Sequence, residues 1–207
     1  VTLAFQESQK QLYEEAASVF SHQPAELRLE PARFSPEAAV WSVVCLGELY
    51  RRGKLERTER VVPVLAFHRF TDGKLGSGPS DWHTSTSYVD AILAFLKSHD
   101  FNVITVAQLG AYMTSETGKT LPERPLVISI DDGSASITKL FEPRAAAAGV
   151  PYAIGLVTEW LGEEEGQVIN LGDNLTDQIL NWRDVKTLFS TGRVSILSHS
   201  HAQHHYA

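Results

Sequence analysis

The sequence predicts an α/β fold with a parallel sheet over residues 61–207, preceded by a helical region over residues 1–60. Short apolar, β-branched runs alternate with amphipathic segments of helical spacing, an order typical of parallel sheets with right-handed crossovers. Glycine follows several of the helical segments, where it can end a helix. Polar residues able to bind a metal lie at or just after the ends of three of the predicted strands, and chemistry in such folds lies at the carboxyl ends of strands.

The first 60 residues are predicted to be helical because apolar residues such as Leu12, Ala16 and Val19 recur there at helical spacing. Prolines interrupt the pattern. The pair Ser35-Pro36 is typical of an N-cap followed by the first position of a helix, which would end near Gly53.

From residue 61 onward, strands and helices are predicted in alternation. The predicted strands are 61–68, 101–106, 126–130, 151–157 and 194–197. The predicted helices are 87–99, 107–114, 136–148 and 176–191. The intervening segments 71–81 and 159–173 are predicted to be loops, and the acidic residues Asp173 and Asp177 are expected to be surface charges.

The composition, with 43% hydrophobic and 21% charged residues and a net charge of -7, describes an ordinary globular protein. The sequence has no basic block, which argues against nucleic-acid binding. Cys45 is the single cysteine, so an intrachain disulfide is excluded. No apolar run approaches the ~18 residues of a transmembrane helix. The chain begins with Val1, and we expect that an upstream segment, such as an export signal, has been removed.

Two adjacent carboxylates, Asp131 and Asp132, follow the predicted strand 126–130 and precede Gly133. Asp-Asp-Gly by itself is common in solvated turns. At the end of a buried strand, however, two like charges side by side are costly unless a cation compensates them.

Histidines cluster near the end of the sequence, in Ser198-His199-Ser200-His201-Ala202-Gln203-His204-His205. Four of the chain's eight histidines lie in this segment, directly after the predicted strand 194–197. Carboxylate and imidazole at the ends of two strands are ligands that a divalent metal such as zinc prefers. A metal-binding tail or an expression remnant is the alternative interpretation of the histidines alone.

Together these motifs resemble the polysaccharide deacetylase (NodB-homology) family over residues 62–206. Ser129-Ile130-Asp131-Asp132-Gly133 is similar to the family's Thr/Ser-Phe-Asp-Asp-Gly motif, and Ser198-His199-Ser200 to its Ser-His-Ser/Thr motif. Segment 64–68 is similar to the family's first strand, which ends in Tyr-His. The resemblance implies a partial (β/α) barrel and a metal-dependent hydrolase that removes N-acetyl groups from an N-acetylglucosamine polysaccharide.

The resemblance also implies roles for individual residues. Asp132, His199 and His204 would bind one divalent metal, with zinc expected and nickel, cobalt or iron as alternatives. Asp131 would be the general base that accepts a proton from the attacking water.

The spacing of the histidines bears on the substrate. In most of the family the second histidine follows the first at i+4, which here is Gln203. The subgroup that acts on poly-β-1,6-N-acetylglucosamine has one further residue, as between His199 and His204, and this favours that substrate. The pair His201 and His205 is the alternative ligand pair.

Further residues are assigned supporting roles. His68, Ser198 and His205 are predicted to contact substrate or to support the metal ligands, and a structural role is an equal alternative for His68. Tryptophans can stack on sugar rings, although a lone Trp more often packs in the core. The tryptophans in question are Trp82, Trp160 and Trp182.

The sequence ends at Ala207, before the family's later motifs, which include a Leu-x-His whose histidine protonates the leaving amine. We therefore expect a chain truncated at its C-terminus, with the general acid elsewhere. Contribution of the missing strands by another chain, and a non-catalytic metal- or glycan-binding relative, are the alternatives. Chitin-like and peptidoglycan substrates, or an unrelated α/β or helical protein with an accidental site, are further alternatives. The polysaccharide context implies an extracytoplasmic location, and the oligomeric state is not predicted.

Overall fold

The computed structural model describes residues 62–72, 82–114, 120–172 and 175–203. All of them lie in the second of the two units into which the chain divides, Val62–Ala207. The predicted helical region 1–60 lies outside the described residues.

Within the described residues the main sheet has five strands, and all of their pairings are parallel. Its strands are β1 (Val64–Phe67), β4 (Asn102–Val103), β5 (Pro125–Ile130), β6 (Tyr152–Leu156) and β9 (Val194–Ser198). The order is β1-β5-β6-β9, and β4 pairs with the first two residues of β5. Strands β5 and β6 are buried over nearly their whole length, as expected when helices cover a parallel sheet. The predicted α/β class with a parallel sheet is therefore confirmed.

Four α-helices connect or flank these strands in the described part of the chain. They are α1 (Thr86–Ser98), α2 (Val106–Thr114), α3 (Glu142–Ala148) and α4 (Trp182–Ser190). A π-helical turn, Ile137–Phe141, leads directly into α3. Gly149, with φ 68°, ends α3 in the left-handed conformation that glycine adopts without strain, as predicted. None of these helices combines the length and the apolar character needed to cross a membrane.

The strand predicted over 101–106 is shorter than expected because a helix cap competes for its last residues. The Gln108 amide donates to Thr105 Oγ1 at 3.1 Å, and the Thr105 amide donates to Gln108 Oε1 at 2.8 Å. This reciprocal pair is a capping box, which satisfies donors at the start of α2. Thr105 is therefore the N-cap of α2 and does not continue β4.

The segments predicted as a loop at 159–173 and a helix at 176–191 are partly wrong. β7 (Val168–Gly172) and β8 (Leu175–Gln178) form an antiparallel pair, and α4 begins only at Trp182. Asn181 is its N-cap, accepting a hydrogen bond from the Asp184 amide at 2.8 Å. A second small sheet pairs β2 (Arg69–Thr71) with β3 (His83–Ser85); these strands flank the predicted loop 71–81 and were not predicted.

The core lies between the main sheet and the helices that cover it. Its apolar residues come from β5, β6, α1 and the turn before α3, which include Leu126, Ile128, Ile154, Ile92 and Phe141. The carboxyl ends of β1, β5 and β9 lie outside this core, together at one edge of the sheet. We call this the carboxyl edge; it carries His68, Asp131, Asp132 and His199.

Candidate active site

The two adjacent carboxylates after β5 occupy different surroundings. Asp131 is half-buried, its amide donates to the Phe67 carbonyl at 2.8 Å, and its Oδ1 accepts a hydrogen bond from Ser129 Oγ at 3.0 Å. Asp132 is 1% exposed. Asp131 is therefore accessible and held by a hydroxyl, whereas Asp132 is enclosed by protein.

The turn that carries these carboxylates has an uncommon backbone conformation. Asp132 has φ 70° and Gly133 has φ 81°, and a Cβ on Gly133 would lie 2.9 Å from Leu156 Cδ2. The Leu180 amide donates to the Gly133 carbonyl at 2.9 Å, which ties the turn to the chain after β8. A non-glycine residue with positive φ costs of order 1–3 kcal/mol, and such strain clusters at functional sites.

His199 follows β9, two strands away from Asp132 in the sheet. Its amide donates to the Leu156 carbonyl at 2.9 Å, which continues the ladder by one residue. Its Nε2 lies 3.7 Å from Asp132 Oδ1. Two ligands of a tetrahedral zinc ion, each at about 2.0–2.2 Å from the metal, lie about 3.4 Å apart. The carboxylate and the imidazole therefore fit a metal between them.

The rest of the predicted metal set is not tested by the described residues. His204 and His205 lie outside them, and in the described part of the chain no group of three or more His, Cys, Asp or Glu side chains could hold a metal. His201, from the alternative ligand pair, has its Nδ1 at 2.9 Å from Thr158 Oγ1. The metal ligands Asp132, His199 and His204 and the base Asp131 stay predictions.

A buried arginine that the sequence analysis did not select binds the Asp132 carboxylate. Arg69 is 1% exposed, and its Nη2 lies 2.9 Å from Asp132 Oδ2. Its Nε donates to Asp177 Oδ2, also at 2.9 Å. We call these three residues the arginine cluster. Asp177 was expected to be a surface charge, and this is wrong, because β8 carries it onto the carboxyl edge.

Serine hydroxyls complete the surroundings of the arginine cluster. Ser134 Oγ donates to Asp177 Oδ1 at 3.1 Å and lies 2.8 Å from Ser136 Oγ. Burial raises the pKa of Asp177, while the Ser134 hydroxyl and the Arg69 guanidinium oppose this shift. One sequence signal for the cluster was available: Arg69 is a charged residue at the start of a strand, in Phe67-His68-Arg69-Phe70.

Gly155 is a second residue that the sequence analysis missed. It lies in β6, between the strands that carry the two sides of the site. A Cβ at this position would lie 3.1 Å from Asp131 Oδ1 and 3.2 Å from His199 Cβ. The absent side chain therefore allows Asp131 and His199 to approach the same point.

The residues that were predicted to support the site differ in how far they are exposed to solvent. His68 follows β1, and burial lowers its pKa although the nearby Asp132 and Asp131 carboxylates act to raise it. Its ring contacts Trp82 edge-on, with centroids 4.6 Å apart, and Trp82 is 55% exposed. Ser198 is exposed at the end of β9, while Trp160 is buried in the core. The described structure thus leaves Trp82, rather than Trp160, accessible to a ligand.

No family model matches the chain. It is similar to poly-beta-1,6-N-acetyl-D-glucosamine N-deacetylases of Escherichia coli strain K12 and Escherichia coli O157:H7, with 25% identity over 122 residues in each case. These matches cover 58% of this chain and 18% of each curated relative, so the chain matches less than a fifth of their length.

Solved structures show the same similarity. A de-N-acetylase from Aggregatibacter actinomycetemcomitans superposes with a TM-score of 0.60 and 28% identity, covering 70% of this chain and 56% of that chain. The BpsB deacetylase domain from Bordetella bronchiseptica has a TM-score of 0.53 and 23% identity, covering 69% and 56%. IcaB from Ammonifex degensii has a TM-score of 0.52 and 16% identity, covering 65% and 51%.

These similarities confirm the predicted resemblance to polysaccharide deacetylases and the predicted fold class, a partial (β/α) barrel of that type. At 23% and 16% identity, the similarities to the BpsB domain and to IcaB support the fold alone.

Proposed function

We propose that this chain carries the first part of the active site of a metal-dependent polysaccharide de-N-acetylase, a hydrolase of carbohydrate N-acetyl groups. One observation carries the proposal: Asp131, Asp132 and His199 converge at the carboxyl edge, with Asp132 Oδ1 and His199 Nε2 3.7 Å apart. The similarity to de-N-acetylases, one of them 28% identical over 70% of this chain, supports the same reaction.

In the proposed reaction, water adds to the acetamide carbonyl and the carbon–nitrogen bond breaks, which yields acetate and a free amine. Asp132 and His199, with His204 from outside the described residues, would hold one divalent metal, with zinc favoured and nickel, cobalt or iron as alternatives. When bound, such a metal polarises the carbonyl and lowers the pKa of a bound water.

Asp131 would accept the proton of the attacking water. Its carboxylate suits this role because it is accessible, whereas that of Asp132 is enclosed. The hydrogen bond from Ser129 Oγ to Asp131 Oδ1 limits rotation of this carboxylate. His68, half-buried with a lowered pKa, would stay neutral near pH 7 and could hydrogen-bond a sugar hydroxyl beside the exposed Trp82.

Poly-β-1,6-N-acetylglucosamine is the favoured substrate, since both curated relatives are named for it and the His199–His204 spacing matches that subgroup. Chitin-like oligomers and peptidoglycan are the alternatives. Because exported glycans lie outside the cytoplasm, we infer an extracytoplasmic location for the protein.

The test is acetate release from β-1,6- and β-1,4-linked N-acetylglucosamine oligomers, measured together with metal content. We expect zinc-dependent release with the β-1,6 oligomer preferred, loss of zinc in Asp132→Asn, and retention of zinc without release in Asp131→Asn. Stoichiometric zinc with no acetate release from any oligomer would instead favour a non-catalytic metal- or glycan-binding relative. Absence of bound metal would contradict the proposed mechanism.

A further inference from the structure

The two oxygens of the Asp132 carboxylate face different residues. Arg69 Nη2 contacts Oδ2 at 2.9 Å, while Oδ1 faces His199 Nε2 at 3.7 Å. A guanidinium is planar and rigid, so a contact on one oxygen limits rotation of the whole carboxylate. One oxygen is thereby turned toward His199.

Asp177 holds the arginine in turn. Its Oδ2 accepts from Arg69 Nε at 2.9 Å, and its Oδ1 accepts from Ser134 Oγ at 3.1 Å. The backbone on either side is tied to the same turn, since the Ala135 amide donates to the Gln178 carbonyl at 2.7 Å. The chain from β8 therefore fixes the guanidinium through Nε, while Nη2 contacts Asp132.

The charges of the arginine cluster also suit a cation. A buried carboxylate next to a lone arginine would be neutralised, and its attraction for a metal would fall. Here one guanidinium serves two carboxylates, so the cluster keeps a net charge of -1, and Asp131 beside it adds a further negative charge. Asp177 thus allows Arg69 to orient Asp132 without removing the negative charge that a divalent ion requires.

We propose that Arg69, locked by Asp177, is a positioning residue that presents Asp132 Oδ1 toward His199 as a metal ligand. This inference rests on the proposed function, because it assumes a metal between Asp132 and His199. It adds two residues that lie outside both sequence motifs and that are 108 positions apart in the chain.

Arg69→Lys is the decisive variant, because it keeps the charge and removes the fork that reaches both carboxylates. The matched control is Arg144→Lys: Arg144 Nε donates to Asp90 Oδ1 at 2.8 Å in a more exposed Arg–Asp pair outside the carboxyl edge. Asp177→Asn is a second variant in case Arg69→Lys fails to fold, and Asp90→Asn is its control. Circular dichroism and thermal melts with a chelator present establish folding.

Two measurements on the folded proteins test the inference. The dissociation constant for zinc is obtained by competition with a chromophoric chelator, and the visible absorption of the cobalt(II) form reports ligand geometry. We expect Arg69→Lys and Asp177→Asn to weaken zinc binding by about 10- to 100-fold, the effect usual for partners of metal ligands, and to alter the cobalt spectrum. Both controls are expected to stay within about twofold of the parent.

A purely structural role would lower the melting temperature and leave the cobalt spectrum unchanged. Unchanged or tighter zinc binding in folded Arg69→Lys would overturn the positioning role while leaving the proposed function intact. If the parent protein binds no zinc or cobalt, the proposed function fails and this inference fails with it.

Discussion

Two charged clusters lie at opposite ends of the main sheet, and they differ in the net charge that they keep. At the amino ends of β6 and β9, Tyr152 donates to Glu142 Oε2 at 2.7 Å, and Arg193 forms an ion pair with the same carboxylate. We call these three residues the amino-edge cluster. One carboxylate and one guanidinium make it neutral, whereas the arginine cluster keeps an excess carboxylate.

The backbone differs between the two ends as well. The carboxyl edge has Asp132 at φ 70° and Ser200 at φ 80°, while the amino-edge cluster is built on residues with ordinary negative φ. Burial raises the pKa of Tyr152, and its hydrogen bond to Glu142 adds to this shift, so the phenol stays protonated. The amino end therefore resembles a satisfied structural network, and the carboxyl edge maintains charge and strain at a cost in stability, as binding sites do.

The largest expected effect is a loss of acetate release on substitution at the carboxyl edge but not in the amino-edge cluster. Asp131→Asn should lower acetate release by about 10²- to 10⁴-fold, because it removes the proposed general base, while zinc content and melting temperature change little. Steady-state assays on a β-1,6 oligomer with parallel metal analysis measure this. Glu142→Gln, the control from the amino-edge cluster, should keep turnover within about twofold. Comparable losses in both variants would show that the two ends do not differ in function.

The next largest effect on turnover is expected from a change of geometry at the carboxyl edge. In Gly155→Ala the new Cβ would lie 3.1 Å from Asp131 Oδ1 and 3.2 Å from His199 Cβ, so one of them must shift. Displacement of a reacting group by about 1 Å can cost about 10²-fold in rate, so a smaller shift here is expected to cost less than that. We expect at least a tenfold loss of turnover and a measurable weakening of zinc binding.

Gly110→Ala in α2 is the matched control, because a Cβ there meets nothing within 4 Å. It should leave turnover unchanged and raise the free energy of unfolding by up to about 1 kcal/mol, as glycine replacement inside a helix usually does. Full activity in Gly155→Ala would mean that the close approach at Gly155 has no role in the site.

The amino-edge cluster should respond in stability rather than in rate. Glu142→Gln weakens the ion pair with Arg193 and the hydrogen bond from Tyr152, and hydrogen bonds to charged groups contribute about 1.5–3 kcal/mol. We expect a loss of about 1–2 kcal/mol in the free energy of unfolding, measured by urea titration in the presence of a chelator. A loss below about 0.5 kcal/mol would show that the network is not stabilising.

The smallest expected effect is a pH dependence from His68. Its pKa is lowered in the folded protein, so the unfolded chain binds more protons between that value and 6.5. Stability from this group is therefore present above pH 6.5 and falls as the pH decreases through that window. Melting temperatures of the metal-free protein at pH 7.5 and 5.5 should differ less in His68→Gln than in the parent. An equal or larger difference in the variant would contradict the burial of a neutral His68.

Local patterns determined much of what the sequence predicted correctly. The apolar run 126–130 forms β5, and Gly149 ends α3, because both signals act through neighbouring residues. Asp131 and Asp132 follow β5 and His199 follows β9, and parallel strands bring such ends to one edge. The prediction of a helix from residue 176 was wrong for β8. Its Leu-Thr-Asp-Gln sequence has no apolar alternation strong enough to exclude a helix.

The surroundings of those residues depend on contacts between segments that are distant in the chain. Nothing in the sequence near Arg69 or Asp177 indicates that they meet, because ion pairs between segments 108 residues apart depend on where β2 and β8 pack. The same holds for Gly155, whose lack of a side chain matters only because Asp131 and His199 lie within 3.1–3.2 Å of its Cβ position. Local sequence patterns place these groups at the ends of the strands, whereas contacts between distant segments set the orientation of each side chain.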